Sequence, residues 1–295
     1  MSGSNPSTNG SIIVGVDGSP ASEHAIVWAA EEARLQHRNL TLVHAEPHMS
    51  PNEMAWLSSA GIPPRQINEQ THADAERVVA RARTLAAAHS PAEAIDTVLE
   101  VQDARSLLLD LGGTAAMTVV GTRGHGRVAG LLLGSVSGAL VRHATSPVVV
   151  VRPVPSPRGG VLIAADASED SLGPVEHAYR EASLHRTPLT VVHCLWDGLA
   201  GPTPWANVPR TDPEHAEARL RIAESMAGMR EKFPDVDLSV MVTRGSVDAC
   251  LVDLSAKFDL LVIGRPARPL LLRLTTSGLT LPVAERAQCP VLVVP

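Results

Sequence analysis

Lysine is nearly missing from this chain. Of its 25 basic residues only Lys232 and Lys257 are lysines, and the rest are arginine. That bias has two readings, phosphate chemistry or plain base composition, and composition alone does not separate them. Cysteine is scarce too: Cys194, Cys250 and Cys289 lie far apart with no C-x-x-C, which signals neither a zinc site nor a disulfide framework. No apolar run approaches the ~20 residues that span a bilayer. Met1–Gly10 has no basic stretch and no apolar core, so residues 1–10 read as a disordered tail and not as a signal peptide. The net charge of −6 gives no reason to expect nucleic acid as a partner. A cytoplasmic protein, binding neither membrane nor nucleic acid, is the expectation. Also absent are Gly-x4-Gly-Lys-Ser/Thr, His-Glu-x2-His and a nucleophile elbow. Their absence removes the Walker lysine and the familiar zinc and serine catalysts.

What is present is an ordinary globular share of apolar residues, 44%, in 295 residues, enough for two domains. The chain also repeats itself. Asp17 matches Asp166 and Ser19 matches Ser168, while Leu40-Thr41-x-Val43-His44 matches Leu189-Thr190-x-Val192-His193. Towards the ends Gly121 matches Gly264, and Ser146-Pro147-Val148 matches Cys289-Pro290-Val291. A repeat this long is a domain duplication and not a solenoid. The expected layout is a tail over 1–10, a first domain over 11–152, a proline-rich linker over 153–159 and a second domain over 160–295.

Within each half, β-branched runs alternate with stretches of helical period. The expected strands are Ile12–Val16, Leu40–Ala45, Ile95–Val101, Met117–Gly121 and Val148–Arg152, then Val161–Ala165, Leu189–Cys194, Leu238–Thr243, Leu260–Gly264 and Val291–Val294. Runs apolar on both faces predict parallel sheets covered by helices. Ser19-Pro20 marks a helix start, and Ala75, Val78, Val79, Ala82, Leu85 and Ala86 mark one helix face. The fold class is α/β: two tandem doubly wound domains, each a five-stranded parallel sheet with helices on both faces and four helices between the strands. Ligands of such sheets bind outside the carboxyl ends of the strands, where strand order reverses.

After the fourth strand comes Gly121-Thr122-Arg123-Gly124-His125-Gly126-Arg127, then Gly134-Ser135-Val136-Ser137 opening a helix. Glycines let backbone approach a phosphate, and unpaired N–H groups at a helix start make an anion site. Ser135 and Ser137 add hydroxyls; Arg123, His125 and Arg127 add positive charge or are simply solvated. A mobile turn that binds nothing has the same glycine content. The histidines show no metal-ligand spacing, and His44 and His193, at matching strand ends, read as structural.

The spacing Gly121-x2-Gly124-x9-Gly134-Ser135 resembles the ATP-binding signature of the universal stress protein family. Val14-Gly15-Val16-Asp17, Val43-His44-Ala45 and Ser146-Pro147-Val148-Val149-Val150 extend the likeness over residues 11–152, and more weakly over 160–295. The tandem arrangement is similar to the two-domain branch of that family, whose fold is Rossmann-like. The resemblance implies a stress-response regulator that binds ATP, expected with Mg²⁺. Gly15, Val16 and Asp17 would lie near adenine and ribose and Ala45 against the base. Gly121 to Gly124 and the loop through Arg127 would cradle phosphates, with Gly134 to Ser137 closing over them. Asp17 has a second reading, an acidic cap for the helix after Ser19.

The second half keeps Asp166 and Gly264 but reads Gly264-Arg265-Pro266-Ala267-Arg268-Pro269, then Ser277-Gly278. Two prolines remove backbone N–H donors. Arg265, Arg268 and Arg273 either replace those donors with charge or are surface residues. Asp166, Gly264, Arg265, Arg268, Ser277 and Gly278 therefore outline a second site, expected to be worn and not working. Three functional readings stand: a nucleotide-switched regulator with an unidentified protein partner, a slow ATPase in which Asp17 helps hold Mg²⁺, and an interaction module with vestigial sites. The apolar strands after Pro147 and Pro290 would invite aggregation as bare edges. Single-domain relatives pair through this strand, so the halves are expected to form an internal pseudo-dimer, any homodimer using another surface.

Overall fold

The computed structural model describes residues 8–124, 133–154, 159–168, 171–195, 204–265 and 279–295. The chain divides into two compact units, Met1–Val151 and Arg152–Pro295.

In the first unit the apolar runs become strands β1 (Ile12–Gly15), β2 (Leu40–Glu46), β3 (Ile95–Val101), β4 (Met117–Gly121) and β5 (Val148–Val151). They pair in parallel in the order β3-β2-β1-β4-β5. Successive strands step outward one way from β1 to β3 and the other way from β4 to β5. Strand order therefore reverses between β1 and β4, which opens a crevice at their carboxyl ends. The helices are α1 (Pro20–Leu35), α2 (Pro51–Ser59), α3 (Pro64–Ala87), α4 (Ala104–Gly112) and α5 (Ser135–His143).

Helix α1 forms for local reasons. Extended Ser19 accepts a hydrogen bond from the Ser22 N–H (3.2 Å), and Pro20 fills the first helical position. Ala25, Ile26, Ala29, Ala30 and Ala33 are buried on one side against the sheet. The helix ends where His37 turns left-handed (φ 52°) and the Arg38 N–H returns to the Ala33 carbonyl (2.9 Å). Helix α3 buries Ala75, Ala82 and Ala86, along the expected face. Helix α2 lies outside the expected four helices. It begins with a reciprocal cap in which Ser50 Oγ accepts from the Glu53 N–H (3.3 Å) and Glu53 accepts from the Ser50 N–H (2.7 Å).

The second unit contains β6 (Val161–Ala164), β7 (Leu189–Leu195), β8 (Ala206–Asn207), β9 (Leu238–Arg244), β10 (Leu260–Gly264) and β11 (Val291–Val294). Its helices are α6 (Leu172–His185), α7 (Pro213–Ser225), α8 (Ala227–Lys232), α9 (Val247–Ser255) and α10 (Thr280–Arg286). Its order is β11-β10-β6-β7-β9-β8. All of these pairs are parallel except β8 with β9. The expectation of five parallel strands is corrected here: β8 adds a short antiparallel edge. It is held by the Val208 N–H on the Val242 carbonyl (2.9 Å) and by burial of Val208 with Ala218 and Val242. The left-handed helix end recurs, with Arg186 at φ 52° and the Thr187 N–H on the Ala182 carbonyl (2.9 Å).

The loose tail over 1–10 is corrected for its last residues. Thr8 is buried, Ser11 Oγ–H donates to its carbonyl (2.8 Å), and the Gly10 N–H donates to the Thr114 carbonyl (3.0 Å). Backbone groups leading into β1 need partners, and the loop before β4 supplies them. Residues 155–158 of the expected linker lie outside the described residues.

Candidate functional site

The crevice between β1 and β4 collects most of the expected positions of the first unit. Val16 continues β1: its N–H donates to the Val43 carbonyl (2.8 Å), and its carbonyl accepts from His44 Nδ1 (2.6 Å). A carbonyl only accepts, so His44 carries its proton on Nδ1 and pins the end of β1 to β2. His193 makes the same bond to the Ala165 carbonyl in the second unit (2.9 Å). The expected structural role of this pair is what the geometry displays. Ala45 follows His44 at the same carboxyl edge, half-buried and in register with Glu100 of β3.

Asp17 turns the chain from β1 towards α1. Its Oδ1 accepts the Ser19 N–H (2.9 Å), an Asx turn. The cap of α1 is Ser19, so the reading of Asp17 as that cap is corrected. A carboxylate two residues before the cap reaches the cap's own N–H and not the helix's first turn. Its other oxygen points at the glycine loop. A Cβ added to Gly124 would collide with Asp17 Oδ2. Ser19 Oγ–H also reaches the Arg123 carbonyl (3.4 Å). Asp17 and Ser19 thus hold the start of the loop from the side of α1.

Gly121 is glycine for a different reason. A Cβ there would lie 2.6 Å from the Ala21 carbonyl oxygen, so the end of β4 passes directly against the first turn of α1. Gly15 is tight as well, its added Cβ meeting Leu108 Cδ1 at 3.0 Å. Beyond Gly121 the loop closes into a neck. The Thr122 carbonyl accepts the Gly134 N–H (2.7 Å) and the Ser137 hydroxyl (3.2 Å). Ser137 is buried and donates its hydroxyl proton inside the protein. The neck sets Gly134 as the N-cap of α5, with no side chain capping the helix. The first-turn N–H groups of Ser135 and Val136 have no acceptor within the helix. Arg123 and Gly124 are exposed at the rim. His125, Gly126 and Arg127 lie outside the described residues.

Sequence reasoning assigned Ser19 to the helix start only and missed its bond to the loop. The Asp17-x-Ser19-Pro20 spacing was the available signal, since a hydroxyl that caps a helix after a strand faces the same crevice.

In the second unit Asp166 has a different setting. Its Oδ1 accepts from the Ser168 N–H (3.0 Å), Ser168 Oγ (2.6 Å) and Ser171 Oγ (2.5 Å). Burial opposes its charge, but the hydrogen bonds from Ser168 and Ser171 outweigh burial and hold its pKa below the usual value. Gly264 is crowded by Pro174, whose Cγ would lie 2.8 Å from an added Cβ. The Arg265 N–H is spent on the Val294 carbonyl (2.7 Å), and burial lowers the pKa of its side chain. Arg268, Arg273, Ser277 and Gly278 lie outside the described residues. Among the described residues no helix is long and apolar enough to cross a membrane.

The universal stress protein family model matches residues 8–152 and 159–295. Universal stress protein Rv2623 of Mycobacterium tuberculosis is 34% identical, covering 96% of this chain and 95% of its own length. Universal stress protein Rv1996 of the same organism is 31% identical, covering 97% and 95%. Among solved structures, a universal stress protein from Archaeoglobus fulgidus superposes with a TM-score of 0.67 over 98% of each chain at 17% identity, a likeness of fold.

Proposed function

The chain belongs to the universal stress protein family, with its domain in tandem, and on that premise we propose that the first unit binds ATP with Mg²⁺ as the switch of a cytoplasmic stress-response regulator. Nucleotide occupancy sets the conformation of the glycine loop and, through it, the choice of protein partner. The observation that carries this reading is the Thr122–Gly134 neck (2.7 Å), which brings the uncapped start of α5 to the carboxyl ends of β1 and β4. Helix N–H groups with no acceptor favour an anion there. The phosphates would meet the N–H groups of Ser135 and Val136 and the backbone from Thr122 to Gly124. The nucleoside would lie towards Val16, Asp17 and Ala45. Mg²⁺, when bound, neutralises phosphate charge, and the Asp17 carboxylate at the mouth of the loop is an oxygen ligand of the kind it takes.

Binding without rapid chemistry is part of the proposal. Both lysines of the chain fall in the second half, so no lysine can polarise the terminal phosphate in the first. The expected result is ATP recovered by chromatography from the purified protein after denaturation. Steady-state hydrolysis should stay far below the roughly 1–100 s⁻¹ of dedicated phosphoryl-transfer enzymes. Turnover inside that range, lost in Asp17→Ala, would replace this reading with an enzyme.

A further inference from the structure

Between Glu46 at the end of β2 and Ala75 in α3, no residue is buried. This stretch holds α2 and the first turns of α3, and it stands above the carboxyl edge of the first sheet. His72 marks where α3 crosses that edge, because its Nδ1 lies 2.8 Å from Oε2 of Glu46, the last residue of β2. The chain leaves the sheet along β2 and returns along α3 towards β3. Residues 64–71, about 12 Å of helix, therefore lie beyond the sheet. Helix α2 occupies the outward leg of the same excursion. Residues 47–50 join it to β2 and span at most about 14 Å. Strand β2 pairs with β1, Val43 beside Gly15, so α2 begins within reach of the crevice between β1 and β4.

Helix α2 does not sustain itself. A helix of nine residues is marginal in water, and helices in proteins draw most of their stability from an apolar face packed on something. The Ser50–Glu53 cap fixes its start, yet it buries no residue. It packs against α3, whose first turns are themselves unburied. Met54 and Leu57, three positions apart, are half-buried, whereas Trp56 is 67% exposed and Ile62 39%. Trp56 is the most exposed large apolar side chain among the described residues. An indole is a flat π face, and the ligand group that matches it is another flat aromatic ring. A nucleotide has one in its base, which stacks on aromatic side chains. The sheet edge offers that base one wall, Val16 and Ala45, and the excursion through α2 is placed to supply the other.

We propose that residues 51–74 are a lid that closes on the bound nucleotide, with Trp56 stacking on its base. The inference rests on the nucleotide reading of the first unit. The glycine loop then holds the phosphates and the lid holds the base, so the lid separates nucleotides from inorganic phosphates. A segment with few buried contacts opens at little cost, which is what a lid requires. Closure covers apolar surface that the unliganded protein leaves in water. The outer face of α2 and α3 changes position with occupancy, which gives a protein partner a surface to read.

The test is amide hydrogen exchange of the full chain with and without ATP and Mg²⁺, beside calorimetry of ATP and of inorganic tripolyphosphate. Exchange in α2 and residues 64–71 should slow by roughly tenfold with ATP and stay unchanged with tripolyphosphate. Trp56→Ala should weaken ATP binding by roughly tenfold, as a lost base stack does, and leave tripolyphosphate binding and the melting temperature unchanged. Trp56→Phe, which keeps an aromatic face, should restore most of the affinity. ATP bound equally by wild type and Trp56→Ala, or bound with no slowing of exchange in α2, would overturn the lid and leave the nucleotide reading standing. Self-association lost in Trp56→Ala by light scattering, with ATP affinity unchanged, would make a second copy the occupant and likewise overturn it. No ATP bound by wild type would overturn both.

Discussion

Gly121 and Gly124 stand three positions apart in one loop and are glycine for unlike reasons, one because a backbone carbonyl blocks its Cβ and one because a carboxylate does. A carboxylate at the end of a side chain can swing away; a helix carbonyl cannot. Both were legible as glycines of a tight loop, but the distinction was not, since it depends on which atoms the tertiary fold places opposite each Cα. The same limit hid the contact between His72 and Glu46, which are far apart in sequence. His72 Nδ1 lies 2.8 Å from Glu46 Oε2, a buried carboxylate at the end of β2, and Nε2 lies 3.7 Å from Glu76. The hydrogen bond that His72 donates to the Glu46 carboxylate raises the His72 pKa above its ordinary value. A histidine whose folded pKa exceeds its unfolded one, about 6.5, stabilises the fold fully below that pH and loses the contribution as pH rises through the folded value. Wild type should therefore lose melting temperature relative to His72→Gln as pH rises above about 6.5, the two converging at the alkaline end. Parallel melting curves of the two proteins across that range would contradict the ion pair.

At the scale of elements, most strands were readable because a buried parallel strand is apolar on both faces, as in Leu260-Leu261-Val262-Ile263. Strand β8 was not, since two residues carry no periodicity and Ala206–Asn207 is a strand only because Val208 packs behind it. Helix α2 was overlooked although Ser50-Pro51-x-Glu53 is a helix-start pattern; it has no buried residue, so no apolar stripe announced it. The left-handed helix ends at His37 and Arg186 gave no signal either, because neither position is glycine. The packing of α1 on β4 gives the prediction at this scale. Gly121→Ala places a methyl against the Ala21 carbonyl at 2.6 Å and must push helix and strand apart. Such overpacking costs about 1–3 kcal/mol, to be measured by urea unfolding. Gly124→Ala, which displaces only the Asp17 carboxylate, should unfold close to wild type. Equal midpoints for Gly121→Ala and wild type would mean that the approach of α1 to β4 is looser than described.

For the whole molecule, duplication gave two units the same strand ends and let their chemistry drift apart. Each pins its first strand with a histidine on a carbonyl, His44 on Val16 and His193 on Ala165. The carboxylates that follow each accept the N–H of the serine two residues on, but Asp166 also gathers two serine hydroxyls, whereas Asp17 turns its Oδ2 to the loop. The sequence comparison of the halves registered lost glycines and gained prolines and read them as wear. It had no means of seeing a cavity in the second unit, which arises from the placement of α9 and α10 over the strand ends.

The central claim is that the first unit carries the nucleotide site, and calorimetric titration of ATP with Mg²⁺ into the full chain tests it most directly. The account predicts one ATP per chain for wild type. It also predicts an affinity about tenfold lower for Gly124→Ala, at an unchanged melting temperature without ligand, because the added methyl moves Asp17 and narrows the approach to the loop. The same affinity in wild type and Gly124→Ala, or no ATP bound by either, would contradict it.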